Sequence, residues 1–169
     1  MKVRLLIHDL DEKDERQLKY AVPESVILFS AKPRVKPCVG CFGCWIKTPG
    51  RCVIKDRCWD SPAMMAAGRE LILVSRNVYG GFSPEVKAVL DRSIGYMMPF
   101  FRYVGSEMHH TARYDNPLTL TAHFYGEGIS EGERGIARRL VKANAVNLGA
   151  EGCQVCFHDS LPHLKEALL

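Results

Sequence analysis

Four of the seven cysteines lie close together in the stretch CVGCFGCWIKTPGRC, residues 38–52. They follow the spacing Cys-x2-Cys-x2-Cys-x7-Cys and are Cys38, Cys41, Cys44 and Cys52. A [4Fe–4S] cluster needs four thiolate ligands, and a compact run with two-residue spacers can supply three of them. The spacing therefore makes this run a candidate site for an iron–sulfur cluster.

Two other interpretations of the cysteine run stay open. Four sulfurs can bind zinc, although structural zinc sites usually combine two Cys-x2-Cys units separated by a longer stretch. Free cysteine also behaves as a small buried hydrophobe, so the run can be a packed loop. The segment WIKTPG (45–50) lengthens the last spacer with a turn, and this favours the structural interpretation.

A second candidate site is the stretch SRNVYGGFSPEVKAVLDR (75–92), which leaves an apolar strand and enters a helix. Gly80 and Gly81 let the backbone approach a flat ligand closely, and Tyr79 and Phe82 add aromatic surface. Unpaired N–H groups at the helix start can bond the polar edge of a ring. The pattern suits a planar heteroaromatic cofactor, and the alternative is a Gly-Gly turn with the aromatics in the core.

Short apolar runs alternate with helical patterns along the chain. The runs predicted as strands cover 3–7, 25–30, 70–75, 118–124 and 153–157. The predicted helices cover 83–97, 130–149 and 161–169. This alternation predicts an α/β fold, a five-stranded parallel sheet with helices on both faces, in a single domain over residues 1–169.

In such a sheet, ligands bind outside the carboxyl ends of the strands. The loops expected at that edge are 8–12, 31–58, 75–83 and 124–130. We therefore expect both the cysteine run and the glycine-containing loop to lie there.

The charge balance argues against a nucleic-acid partner. The 23 basic residues are interspersed with 19 acidic ones, giving a net charge of +4 without a concentrated basic stripe.

No apolar run approaches the roughly 18 residues of a membrane span, and the N-terminus lacks the apolar core of a signal peptide. We therefore expect a cytoplasmic protein that does not contact a membrane. Disulfides are rare in the cytoplasm, so we expect the cysteines to be free thiols or ligands.

Three segments carry a resemblance to a known family. They are CVGCFGCWIKTPGRCVIKD (38–56), VYGGFSPEVKAVLDR (78–92) and YGEGISEGERGIARRLVKANAVNLGA (125–150). In order and spacing they resemble the flavodoxin-like NADPH-dependent FMN reductase family, which includes the iron–sulfur flavoproteins. The resemblance covers roughly residues 38–158 and implies a flavodoxin-like fold.

The resemblance also implies a cofactor site. FMN would lie at the carboxyl edge of the sheet, with the 75–82 loop against the isoalloxazine ring and NAD(P)H as the electron donor. The residues it assigns to FMN are Arg76, Asn77, Val78, Tyr79, Gly80, Gly81, Phe82, Tyr125 and Gly126. Iron–sulfur flavoproteins carry a similar cysteine run, which implies Cys38, Cys41, Cys44 and Cys52 as ligands of a [4Fe–4S] cluster.

The resemblance further implies a homodimer or homotetramer. The apolar stretch YMMPFFRY (96–103) is a candidate interface, and core packing is the alternative explanation for it.

The first loop departs from the family pattern. In family members this loop has a sequence similar to GSPR, followed by small and hydroxyl residues that bind the FMN phosphate at a helix N-terminus. This chain has IHDLDEKDERQL (7–18), which contains five acids and no glycine or hydroxyl residue. Substitute cations for the phosphate are Arg76, Lys32, Arg34 and Lys36.

Three functional hypotheses follow. The first is an FMN-binding oxidoreductase, similar to the NAD(P)H-dependent FMN reductases, that passes reducing equivalents to a small-molecule acceptor. The cofactor carries the chemistry in such an enzyme, so no side chain is assigned as catalytic. The second is an iron–sulfur flavoprotein that carries electrons. The third is a non-catalytic protein that keeps the fold but has lost FMN binding through its phosphate loop.

Overall fold

The structure, a computed structural model, describes residues 3–168. Residues 1, 2 and 169, which belong to the predicted domain, lie outside the described residues, and so does the last residue of the predicted 161–169 helix. The strands are β1 (Arg4–His8), β2 (Val26–Ser30), β3 (Glu70–Arg76), β4 (Met97–Val104), β5 (Glu107–Ala112), β6 (Thr119–Tyr125) and β7 (Gly152–His158). The helices are α1 (Glu12–Ala21), α2 (Gly43–Ile46), α3 (Ser61–Ala67), α4 (Pro84–Arg92), α5 (Glu131–Leu148) and α6 (Leu161–Leu168), with a 3₁₀ helix at Ser93–Tyr96.

Five strands form one parallel sheet in the order β2-β1-β3-β6-β7. This is the flavodoxin-like order, in which the direction of strand addition reverses between β1 and β3. The predicted α/β fold and its five-stranded parallel sheet are therefore confirmed.

The sheet is buried on both faces because its strands carry apolar side chains at consecutive positions. Leu5 and Ile7 face one core, which α3, α4 and α5 cover. Leu6 faces a second core, to which Leu18 of α1 and Leu164 of α6 contribute. Helices thus cover both faces, as the sequence predicts.

Local capping defines the two helices that follow β3 and β6. The Ser83 side chain accepts a hydrogen bond from the Val86 N–H at the start of α4. At the start of α5, Ser130 and Glu133 form a capping box, and Gly149 ends the helix with a φ of 68°. The predicted 83–97 helix is too long, since the α-helical part ends at Arg92 and β4 begins at Met97.

The stretch 96–103 supplies most of β4, which pairs with β5 in an antiparallel hairpin that the sequence did not reveal. The hairpin lies apart from the main sheet and exposes large apolar side chains. These exposed residues are Phe100, Phe101, Tyr103 and Met108. Core packing therefore explains the buried Tyr96 and Met97 of this stretch but not the exposed Phe100, Phe101 and Tyr103.

None of the helices in residues 3–168 has the length and apolar character that crossing a bilayer requires.

Candidate functional site

The loops after β3, β6 and β7 meet at the carboxyl edge of the sheet. Arg76 pairs with Tyr125 in the register of β3 and β6, and Tyr125 pairs with His158 in that of β6 and β7. Beyond the strands, the Asn77 N–H donates to the Tyr125 carbonyl at 2.9 Å, and the Gly126 N–H donates to the His158 carbonyl at 3.0 Å. The predicted loops 75–83 and 124–130 therefore lie side by side.

The loop after β3 is a tight turn. Val78 and Gly81 exchange two backbone hydrogen bonds of 3.0 and 2.8 Å. Tyr79, inside the turn, has a left-handed φ of 53° and is 85% exposed. A non-glycine residue held in this conformation costs energy and is characteristic of ligand-binding loops.

Gly80 is required for a close approach to α5. Its φ is 82°, and a Cβ atom there would lie 2.7 Å from the carbonyl oxygen of Glu133 and 2.8 Å from Cβ of Ile136. The sequence pattern favours a ligand contact for this glycine; in the structure, Gly80 lets the turn pack closely on the first part of α5.

A polar network fixes the turn. Asn77 donates from Nδ2 to Oε1 of Glu133 at 3.1 Å and accepts the Gly80 N–H on Oδ1 at 3.1 Å. Glu133 also accepts the N–H of Ser130, and this hydrogen bond holds the pKa of its carboxyl group below the usual value. The turn and the capping box of α5 therefore form one rigid unit.

Between these loops lies an open cleft of about 270 Å³. Its lining residues are Arg76, Asn77, Val78, Tyr79, Glu127, Gly128, Ile129 and Glu133. The first four were predicted from the sequence. The cleft falls just below the 300–1,000 Å³ typical of small-molecule pockets, so it can hold one edge of a planar ring.

The other predicted residues do not line this cleft. Phe82, which the resemblance assigns to FMN, is buried and stacks on Phe124 with ring centroids 5.1 Å apart, so in the structure it packs in the core. Tyr125 directs its hydroxyl toward β1, and Gly126 contributes a backbone hydrogen bond. Gly80 and Gly81 shape the turn.

The sequence analysis missed Glu127, Gly128, Ile129 and Glu133 as lining residues. The first three fall in the predicted 124–130 loop, but their types suggested no chemistry. Glu133 stands three residues after the helix-capping Ser130, and this capping-box spacing was the signal that could have identified it.

Asp9, one of the five acids of the first loop, has a structural role that the sequence did not reveal. It is 2% exposed and follows β1, where the strand order reverses. Its carboxylate accepts the Arg76 N–H at 3.0 and 3.2 Å and the Tyr125 hydroxyl at 2.9 Å. Burial, together with this carboxylate, raises the pKa of Tyr125. Asp9 therefore links β1, β3 and β6 across the crevice where ligands bind in this class of sheet.

The N-terminus of α1, beside this crevice, is acidic. Asp11 caps it, accepting the Asp14 N–H at 2.9 Å, and this hydrogen bond lowers the pKa of the Asp11 carboxyl group. Glu12, Asp14 and Glu15 occupy the first turn. The open cleft fits the edge of a planar ring, whereas these carboxylates do not fit a phosphate dianion at α1.

The cysteine run does not lie at the carboxyl edge, contrary to the prediction. Cys38, Cys41, Cys44 and Cys52 line a cavity of about 560 Å³ together with residues at the ends of α4 and α5, among them Arg92 and Asn147. Fourteen helical residues separate Glu133, at the cleft, from Asn147, at the cavity. At 1.5 Å per residue this amounts to about 21 Å along α5.

Arg92 holds the cysteine run at this position. It is 1% exposed, and its guanidinium donates to both carboxylate oxygens of Asp56 at 2.9 and 3.0 Å. It also donates to Sγ of Cys52 at 3.0 Å and to the carbonyls of Lys36 and Ile54. The hydrogen bonds from Arg92 hold the pKa of Asp56 below its usual value.

The four thiols differ in exposure. Cys38 and Cys41 are exposed, whereas Cys44 and Cys52 are buried, and burial raises the pKa of Cys44. Within residues 3–168, no group of three or more His, Cys, Asp or Glu side chains is arranged to hold a metal ion. This disfavours zinc. A [4Fe–4S] cluster places each thiolate on a different iron, so its sulfurs lie farther apart than those around one ion.

The segment WIKTPG is ordered by hydrogen bonds. Trp45 donates from Nε1 to the Met97 carbonyl at 2.9 Å, and the Thr48 hydroxyl donates to the Arg51 carbonyl at 2.7 Å. Helix α2 includes Trp45 and packs beside the 3₁₀ helix. These contacts support the structural role that the sequence favoured for this segment.

Two buried histidines, His123 on β6 and His158 at the end of β7, lie close to the carboxyl edge of the sheet. Nδ1 of His123 and Nε2 of His158 are 2.9 Å apart. Burial, followed by the neighbouring His158, lowers the pKa of His123 to about 4, and burial also lowers the pKa of His158. Both rings are therefore neutral at pH 7, and one donates a hydrogen bond to the other.

No protein-family model matches the chain, and no curated protein matches it. Solved structures resemble it over nearly its whole length. An FMN-dependent NADH-azoreductase from Bacillus anthracis, in complex with FMN, has a TM-score of 0.57 and 11% identity, covering 99% of this chain and 98% of that one. An NAD(P)H:quinone oxidoreductase from Methanothermobacter marburgensis has a TM-score of 0.60 and 12% identity, covering 98% and 94%.

A third similar structure is general stress protein 14 from Treponema denticola, in complex with FMN. It has a TM-score of 0.56 and 9% identity, covering 99% of this chain and 91% of that one. At these identities the likeness shows the fold. The chain is a flavodoxin-like α/β protein, and the fold implied by the sequence resemblance is confirmed.

Proposed function

We propose that the protein is a flavin-dependent oxidoreductase that passes reducing equivalents from NAD(P)H to a small-molecule acceptor. The observation that carries this proposal is the rigid turn at 76–81, which forms an open cleft with residues 127–129 at the carboxyl edge of the sheet. FMN is the flavin that the family resemblance implies, and two of the similar structures contain it.

The residues that would hold the isoalloxazine ring are those of the cleft. Asn77 is fixed by Glu133, so the backbone on either side of it is preorganised for a ring edge. Tyr79 presents an exposed aromatic ring beside that edge. A bound flavin would supply the electron acceptance and donation, and the chain's own residues would orient it.

A second copy of the chain would complete the site. The cleft is open and small for a flavin ring, so a homodimer or homotetramer that covers it would exclude water from the bound ring. The surface we propose for this contact is the exposed aromatic face of the second copy's β4–β5 hairpin, since the hairpin of each chain packs beside its own cysteine-lined cavity at the other end of α5.

A second candidate function is electron transfer through a [4Fe–4S] cluster. The observation that favours it is that all four cysteines of the run line one cavity. The hydrogen bond from Arg92 to Sγ of Cys52 is also a contact of the kind that tunes cluster potentials. Cys38, Cys41, Cys44 and Cys52 would be the ligands.

The visible spectrum of protein purified without air separates these proposals. We expect a two-band flavin spectrum that bleaches when NAD(P)H is added. Broad absorbance with stoichiometric iron and sulfide that disappears in Cys41→Ser/Cys44→Ser would favour the cluster. A colourless protein that takes up no added flavin would contradict the flavin proposal and favour a non-catalytic role.

A further inference from the structure

The crevice at the reversal of strand order already contains a negative charge. In flavodoxin-like sheets the ligand crevice opens between the ends of β1 and β3. Here the buried carboxylate of Asp9 spans those ends through the Arg76 N–H and the Tyr125 hydroxyl. Any ligand group that entered between β1 and β3 would therefore meet this carboxylate.

Helix α1 cannot compensate for that charge. A helix N-terminus normally attracts anions through unpaired N–H groups. In this chain Asp11 already bonds the Asp14 N–H, and Glu12 adds a further carboxylate to the first turn. Asp14 is paired with Lys165 at 2.6 Å, so that lysine is not free for a phosphate.

The lining of the cleft is also more acidic than basic. It contains the carboxylates of Glu127 and Glu133 and a single guanidinium, that of Arg76. Of the four cations that the sequence suggested as phosphate substitutes, Arg76 alone lines the cleft, while Lys32, Arg34 and Lys36 do not. On the side of α1, Lys32 lies within electrostatic range of Asp11 and His8. Arg57 lies within range of His8, but the five acids of residues 9–15 outnumber these two cations. The edge therefore repels a dianion more than it attracts one.

We propose that this edge selects a flavin whose side chain ends in an uncharged hydroxyl group over one that ends in a phosphate. Riboflavin is the simplest ligand of this class, and it shares its ring with FMN. The inference rests on the proposed flavin function and narrows the class of flavin. In this arrangement the protein recognises the flavin ring, and the acidic side chains repel a phosphate group.

Fluorescence titration of the flavin-free full-length protein with riboflavin and with FMN tests the selectivity. At low salt we expect riboflavin to bind about tenfold more tightly, and we expect the ratio to shrink as salt is added, because exposed charges are screened beyond about 10 Å at 0.1 M salt. Tighter binding of FMN would overturn the inference and leave the flavin function standing. Binding of neither ligand would overturn both.

Variants locate the source of the selectivity. Asp11→Ser/Glu12→Gln keeps a helix cap but removes two charges, so it should tighten FMN binding several-fold and leave riboflavin unchanged. The matched control is Glu24→Gln/Glu151→Gln, since both acids are exposed and lie at the opposite edge of the sheet. Equal effects of the two pairs on FMN would overturn the inference.

Arg76→Gln is the complementary variant. If recognition comes from the ring, the loss of this one attractive charge should leave riboflavin unchanged and weaken FMN only modestly, and the difference should vanish as salt is added. A large, selective loss of FMN binding that persists at high salt would show that Arg76 holds the phosphate, and this would also overturn the inference.

Discussion

At the residue scale, two buried charged side chains hold loops of this protein in place. Asp9 ties three strand ends together beside the candidate cleft, and Arg92 ties the cysteine run to the end of α4. Each makes several hydrogen bonds inside the protein, so each is satisfied where it is buried. Removing either one leaves partners unpaired.

Replacing Arg92 should destabilise the protein strongly. Arg92→Met leaves the Asp56 carboxylate and two carbonyls without their donor, and breaking a buried ion pair typically costs about 3–5 kcal/mol. Because Asp56 is partly exposed, we expect a loss near the lower figure in urea unfolding. Lys87→Met is the control, since Lys87 and Asp91 form an exposed pair. Equal unfolding free energies for the two variants would contradict the assigned role.

The His123–His158 pair should make stability fall in mild acid. The pKa of His123 is about 4 in the folded protein and near 6.5 when unfolded. The unfolded chain therefore binds more protons between these values, and stability is lost as the pH falls from 6.5 toward 4. The full effect amounts to about 3 kcal/mol.

Urea unfolding at a series of pH values measures this dependence. His123→Gln should flatten the acid side of the profile, whereas Thr119→Val, at an exposed position on the same strand that carries no titrating group, should leave it unchanged. An unchanged acid slope in His123→Gln would show that another group is responsible.

At the element scale, the fit of the 78–81 turn against α5 defines the cleft. Gly80→Ala places a methyl group 2.7 Å from a backbone carbonyl in a left-handed conformation. We expect a loss of about 1–3 kcal/mol in stability and weaker flavin binding, because strain at such positions is of this order. Denaturation and flavin titration measure the two effects.

Gly135→Ala is the control for this variant. Gly135 lies within α5, and the nearest atom to its added Cβ is 3.7 Å away at the end of the Arg139 side chain. Alanine should be neutral or stabilise the helix by up to about 1 kcal/mol. If Gly80→Ala is equally well tolerated, the turn does not depend on its contact with α5.

Most of the main sheet could be predicted because its strands are continuous apolar runs and its helices carry local caps. Ser83 and Ser130, for example, are recognisable from a few neighbouring residues. The β4–β5 hairpin was missed because β4 is an exposed ribbon with aromatic residues outside the core, so it lacks the pattern of a buried strand.

The part of the site that could be predicted also depends on a local sequence pattern. Asn77 and Tyr79 belong to a recognisable strand–glycine–helix pattern. The position of the cysteine run depends on contacts distant in sequence, such as Arg92 with Lys36, which are 56 residues apart. The role of Asp9 likewise depends on partners 67 and 116 residues away. No local pattern encodes these pairings.

At the scale of the whole molecule, the β4–β5 hairpin should control self-association. Its exposed apolar side chains form a patch of the kind that marks interfaces. Phe100→Ser/Tyr103→Ser should shift the protein toward monomer in sedimentation velocity. Tyr20→Ser, at a 92% exposed position on α1, should leave the distribution unchanged. A wild-type monomer, or an oligomer that resists the double change, would contradict this role.

The cleft and the cysteine-lined cavity, the sites proposed for the flavin and for the cluster, lie apart in the molecule. The cleft at the carboxyl edge and the cysteine-lined cavity lie at opposite ends of α5, about 21 Å apart along the helix at 1.5 Å per residue. The ring of a flavin held at the cleft would therefore lie at the other end of α5 from the cysteine-lined cavity of the same chain.

We propose that a flavin ring binds at the carboxyl edge of the sheet, against residues 76–79 and 127–129. Hydrogen–deuterium exchange of the full chain, with and without saturating riboflavin, tests it directly. We predict slower exchange in peptides that cover 76–81 and 126–130, and unchanged exchange in peptides that cover 38–52. Protection confined to the cysteine run, or no protection at either place, would contradict it.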